Sequence, residues 1–176
     1  LGLLVLRTLG DAAAVLAHDA FLGAHRADWF IREVRLNLKR VLKRLDITSR
    51  SLVALVEPGS CFAGTLAELA FAADRSVMLI GTREGDNRPP AALHLSALNF
   101  GAYPMANGLT RLQTRFWGEP ESVTRAEGRV GDALEAEEAE ELGLVTFAYD
   151  ETDWDDEVRI MLEERASFSP DALTGM

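Results

Sequence analysis

Three short apolar runs constrain this chain most: residues 3–9, where Leu3, Leu4, Val5 and Leu6 follow without a break, "SLVALVE" (51–57) and "SVMLIG" (76–81). A strand with one face in water alternates apolar and polar residues. These runs do not alternate, so each is predicted to be a strand covered on both faces. Between the first two, residues 28–45 place Ile31, Val34, Leu38, Val41, Leu42 and Leu45 at spacings of three and four, which predicts an amphipathic helix. Pro58-Gly59 closes the second strand, and 65–73 read as a short helix before the third. After the polar turn "TREGDNRPP", "ALHLSALNFG" reads as strand or loop, and a helix is expected from about 107 to 117. "EAEEAEELGLV" predicts a helix stopped at Gly143, "LVTFAY" a last strand and "DWDDEVRIMLEERA" a final helix. Strand–helix alternation with unexposed strands predicts an α/β fold.

At 176 residues and 48% hydrophobic content the chain can bury one core. Residues 1–149 are expected to form it, with 150–176 as a C-terminal helix and tail of the same domain. No apolar stretch approaches the length of a membrane span. The chain opens on Leu, inside what reads as a strand, lacks a signal-peptide pattern, and closes on "SPDALTGM". It is therefore expected to be an internal stretch of a longer protein. A single cysteine allows no internal disulfide and fits a reducing, cytoplasmic setting. The net charge of −10 is uneven, with a basic block over 26–50 and an acidic one over 119–164. Both read as solvated helix faces. An acidic chain without an aromatic-interleaved basic platform is not expected to bind nucleic acid.

The stretch with most chemistry is "EPGSCFAGTLAELAFAAD" (57–74). After Gly64 the backbone turns into a helix whose first amides lack partners, a place for an oxyanion. Glu68 lies one turn further on. Thr65-x-x-Glu68 also matches a capping box, and the residues alone leave both readings open. Cys61 has no histidine near it in sequence and reads as a small buried hydrophobe. His18, His25 and His94 show no metal-ligand spacing, so no metal site is expected, and His94, on an apolar run, reads as a satisfied core residue. G-x-S-x-G, G-x-G-x-x-G and P-loop patterns are absent, so Ser60 has no assigned base and no nucleotide site is predicted.

Four stretches carry a family resemblance: "VLRTLGDAAAVLAHD" (5–19), "ALVEPGSCFAGTLAELAFAAD" (54–74), "LNFGAYPMANGLTRL" (98–112) and "GRVGDALEAEEAEELGLV" (128–145). In order and in pattern they resemble the crotonase superfamily, which holds the enoyl-CoA hydratases and isomerases. The resemblance implies a crotonase-like spiral of β-β-α units, here incomplete at both ends, and an acyl-CoA substrate with CoA as part of the substrate rather than a cofactor. It implies a homo-oligomer for the full-length protein, with no membrane partner. The second and third stretches resemble a lyase branch, implying that 2,3-epoxybenzoyl-CoA is opened with water to an aldehyde-bearing acyl-CoA and formate. Hydration or isomerisation of another acyl-CoA, and a noncatalytic binding module, are the alternatives.

Carried over residue by residue, the family's oxyanion amides match His18 and Thr65, with Gly64 beside the latter. Glu68 matches the first hydratase glutamate, expected as general acid or base. The second falls on Ala97, a departure that puts simple hydration in doubt. Asn99, two residues on, is expected to orient substrate or water. His25 and Arg26 are expected along the CoA tail, and Cys61 is a further substrate-binding candidate.

Overall fold

The computed structural model describes residues 2–169. Its main sheet has four parallel strands in the order β1 (Leu3–Leu6), β2 (Ser51–Val56), β3 (Arg75–Leu79) and β6 (Phe147–Tyr149). Leu3 to Leu6 pair with Ser51 to Ala54, and Val53 to Val56 pair with Arg75 to Met78. All six residues of β2 are buried, as its unbroken apolar run requires. The two-residue period divides them. Leu52, Ala54 and Val56 join Met78 in the larger core with Phe62, Leu93 and Leu112, whereas Val53, Leu55, Val77 and Leu79 face Trp154 and Val158 of α7 (Glu151–Ala166).

Between β1 and β2 the chain makes two helices, α1 (Ala12–Ala24) and α2 (Trp29–Leu42). Asp11 caps α1 by accepting from the Ala13 amide, and Asp28 caps α2 by accepting from those of Phe30 and Ile31. β2 leads through Gly59, at φ +83°, into α3 (Gly64–Phe71) and then β3. Beyond β3 come β4 (Leu93–His94), a 3₁₀ turn (Ala97–Phe100), α4 (Arg111–Arg115), α5 (Pro120–Glu127), β5 (Ala133–Leu134) and α6 (Ala136–Glu141). β4 and β5 form a small antiparallel pair. Leu22 of α1, Ile31 and Leu42 of α2, Leu98 and Tyr103 close a third apolar cluster over the 3₁₀ turn.

The expected alternation is present, with shorter elements. β1 stops at Leu6 and is not covered on both faces as expected, being the edge strand with Leu4 and Val5 exposed, and the predicted helix over 107–117 is confined to α4, which starts only where Thr110 can cap it. α1 and α5 are helices the periodicity does not announce. The "AAAVLA" of α1 is apolar nearly all round and has no stripe, and α5 is a short polar helix signalled only by Pro120 in its first turn. The tail expected after the last helix lies, over 170–176, outside the described residues.

Candidate functional site

Ala63, the N-cap of α3, offers no side-chain acceptor to the free amides behind it. Asp19, reaching over from α1, supplies it. One carboxylate oxygen accepts from the Thr65 amide at 2.7 Å and from the Ser96 hydroxyl at 2.7 Å, and the other accepts from the Thr65 hydroxyl at 2.6 Å. Thr65 thus spends its only hydroxyl proton on Asp19, so the Tyr103 hydroxyl, 3.0 Å away, donates to Thr65 Oγ1. Asp19 is 2% exposed, and its charge is met by three donors and the positive end of a helix. Gly64 makes the approach possible. Its φ is +45°, and a Cβ there would collide with the Asp19 carboxylate.

One turn along α3, Glu68 is 1% exposed and both its oxygens are bound. Oε1 accepts from Asn99 Nδ2 and Oε2 from Arg111 Nη1, each at 2.7 Å. Asn99 is itself fixed. Its Nδ2 also reaches the Gly64 carbonyl at 2.9 Å, and its Oδ1 accepts from the Ser96 amide at 2.8 Å. Arg111 turns its other edge to Asp46, donating from Nε at 2.9 Å and from Nη2 at 2.8 Å. Two buried carboxylates therefore share one guanidinium. Burial pushes the Glu68 pKa above the ordinary carboxylate value, against the lowering pull of Asn99 and Arg111.

Of the residues singled out in the sequence, Gly64, Thr65, Glu68 and Asn99 come together in this network. His18 does not join them. It sits on the exposed side of α1, seven residues into the helix, where its amide belongs to the helical ladder. The Thr65 amide is occupied by Asp19. The converging pair of open amides expected at residues 18 and 65 is thus not formed, because one serves its own helix and the other is capped. The capping box read from Thr65-x-x-Glu68 is not formed either. Thr65 is inside the helix and Glu68 turns to Arg111, while the side chains that do form capping boxes are Ser96 with Asn99 and Thr110 with Gln113. His25, at the end of α1, is exposed, with Nδ1 3.0 Å from the Phe21 carbonyl, and Arg26 beside it is exposed too. The 13 residues of α1 set both about 20 Å from its start. Cys61 is 4% exposed and lies against Gly10, its amide donating to Thr8 Oγ1 at 3.0 Å. His94 departs from the satisfied core residue expected. It is part-buried, its Nδ1 has no partner among the described residues, and burial pulls its pKa down.

Ala97 opens the 3₁₀ turn and lines a cavity of about 380 Å³ with Leu16, Ala20 and Gly23 of α1, Leu95 and Val130. The walls are apolar, and Asp19 and Ser96 are its polar groups. Sequence reasoning missed Asp19, Asp46, Ser96, Tyr103 and Arg111. The available signal was Thr110-x-x-Gln113, which marks a helix start and would have set Arg111 in the first turn of α4. Among the described residues, no group of three or more His, Cys, Asp or Glu side chains is placed to hold a metal ion, and no helix is long and apolar enough to cross a membrane.

No protein-family model matches the chain. It is 54% identical over 175 residues to benzoyl-CoA-dihydrodiol lyase of Aromatoleum evansii, a match covering 99% of this chain and 31% of that protein. An enoyl-CoA hydratase/isomerase from Xanthobacter autotrophicus Py2 superposes at a TM-score of 0.58 and 19% identity, covering 89% of this chain and 53% of its own. An enoyl-CoA hydratase from Bacillus anthracis superposes at 0.54 and 21% identity, covering 82% and 50%. The chain spans about a third of the curated relative and about half of these solved structures. The fold is that of the enoyl-CoA hydratase/isomerase structures, and along almost its whole length the chain is similar in sequence to benzoyl-CoA-dihydrodiol lyase.

Proposed function

We propose that this chain works as part of a CoA-thioester lyase that opens the ring of 2,3-epoxybenzoyl-CoA with water, leaving an aldehyde-bearing acyl-CoA and formate, in aerobic benzoate degradation. The observation that carries the reading is the 54% identity to a protein named as a benzoyl-CoA-dihydrodiol lyase. The activity belongs to the whole protein, of which this chain matches a part. Within it, the cavity beside Ser96 and Ala97 suits an apolar, ring-sized group on its aliphatic walls. Glu68 acts here as a strut rather than a proton carrier, because Asn99 and Arg111 hold both its oxygens. Simple enoyl-CoA hydration is the less favoured chemistry: the family's version uses two carboxylates around one water, and Ala97 stands in the second position.

A second reading, a layer that binds a CoA thioester without turning it over, is favoured by one observation: Asp19 occupies the Thr65 amide. Product analysis separates the readings. The full-length protein is mixed with 2,3-epoxybenzoyl-CoA, and with crotonyl-CoA in parallel. Formate released in step with epoxide consumed supports the lyase. Hydration of crotonyl-CoA without formate from the epoxide overturns it. Calorimetric binding of the thioester with no product at all supports the binding layer.

A further inference from the structure

At the opposite end of α3 from Thr65 lies a second cavity, of about 290 Å³, beside the starts of β2 and β3, where Leu52, Ala72 and Asp74 line it. The eight residues of α3 set it about 12 Å from the Asp19 network. α4 forms one wall, and its two arginines differ sharply. Arg111 is held by two carboxylates. Arg115, part-buried, forms no ion pair among the described residues. Its Nε donates to the Gly143 carbonyl at 2.6 Å, and its two terminal nitrogens have no bond there. That carbonyl, just past α6, answers part of the charge, yet burial with no acid beside it leaves the Arg115 pKa below the usual arginine range. Of the acids in the same wall, Asp46 is engaged through both oxygens, by Arg111, and Asp74 through one, which accepts from the Leu52 amide at 2.8 Å. A part-buried cation without a counter-ion, its terminal nitrogens free beside an open cavity, is a site prepared for an anion.

We propose that this cavity binds a small oxyanion, a phosphate or carboxylate group, on the terminal nitrogens of Arg115. The planar guanidinium presents two parallel N–H bonds to such a group, with the Thr48 and Thr114 side chains lining the same space. The site is separate from the apolar cavity at the start of α3, so it does not depend on the lyase reading.

The test is calorimetric titration of the full chain with inorganic phosphate and, separately, with acetate. Saturable binding of either is expected; preference for phosphate assigns a phosphate-bearing ligand, and equal or stronger binding of acetate assigns a carboxylate. Arg115→Gln is expected to weaken binding by about tenfold or more, the worth of a hydrogen bond to a charged group. Because Arg115→Gln also loses the bond to Gly143, Arg115→Lys is the second variant. It keeps the charge, loses the planar fork and is expected to weaken binding several-fold. No saturable binding of either anion, or binding unchanged in a folded Arg115 variant, overturns the proposal.

Discussion

Replacing Arg111 by Met keeps roughly the length of the side chain and removes its charge. The structure fixes what is lost: two bonds to Asp46, one to Glu68 and a longer one to the Tyr103 carbonyl. The two carboxylates left behind have side chains only 4% and 2% exposed. Breaking a buried pair from one side typically costs about 3–5 kcal/mol, because the surviving charge has neither water nor partner. The cost must also depend on pH. With Arg111 present, burial already lifts the Glu68 pKa above its ordinary 4.5, and losing Arg111 removes a lowering influence, so it rises further. A carboxyl whose folded pKa is raised contributes its stability below the unfolded value and loses it as pH climbs through the folded one. Arg111→Met should therefore cost least near pH 4.5 and most at neutral pH and above. Denaturant unfolding across that range reads this as a shift in midpoint at constant slope. Adding Glu68→Gln to Arg111→Met should regain stability at neutral pH, since it removes one stranded charge. A loss under about 1 kcal/mol, or one flat with pH, would refute the view that these charges are buried and mutually dependent.

Other substitutions test neighbouring parts of the network. Gly64→Ala should destabilise by about 1–3 kcal/mol, the cost of a strained backbone position, because Gly64 holds φ +45° and the added methyl meets Asp19; thermal unfolding checks it. Asp19→Ala should cost about 2–3 kcal/mol, since it strands the Thr65 amide and the Ser96 hydroxyl; the same melts, with amide exchange at Thr65, report it. Cys61 should react with a thiol reagent far more slowly in the folded chain than in denaturant, because it is buried against Gly10. Leu55→Ala should cost about 2–5 kcal/mol in denaturant unfolding, since Leu55 is fully buried between the sheet and α7.

The sheet was legible because its strands are apolar on both faces. The runs at Leu52 and Val77 are interior strands, whereas the equally apolar run at Leu3 forms an edge strand with Leu4 and Val5 exposed; all three pair in parallel as the alternation with helices requires. Stripe-bearing α2 was equally readable, while α1 was hidden by being apolar nearly all round. In the site, Gly64, Thr65, Glu68 and Asn99 could be named because they fall in one patterned stretch or match a family motif. Their partners could not. Asp19 and Tyr103 meet α3 only through contacts that span 46 and 38 residues, Asp46 meets Arg111 of α4 across 65, and local spacing carries no record of such pairings. The same blindness produced the open-amide expectation. Pattern shows that a helix start has free donors but not that a distant carboxylate fills them.

The account turns on Glu68 being held rather than reactive, and one experiment addresses that most directly: Glu68→Gln in the full-length protein, measuring formate release from 2,3-epoxybenzoyl-CoA and unfolding on the same preparation. Gln still offers Asn99 an acceptor but sets an amide against Arg111. The prediction is a clear loss of stability with activity per folded molecule kept within a few-fold. A variant as stable as the parent whose activity falls by about a hundredfold or more, the scale of a lost general acid or base, would contradict it.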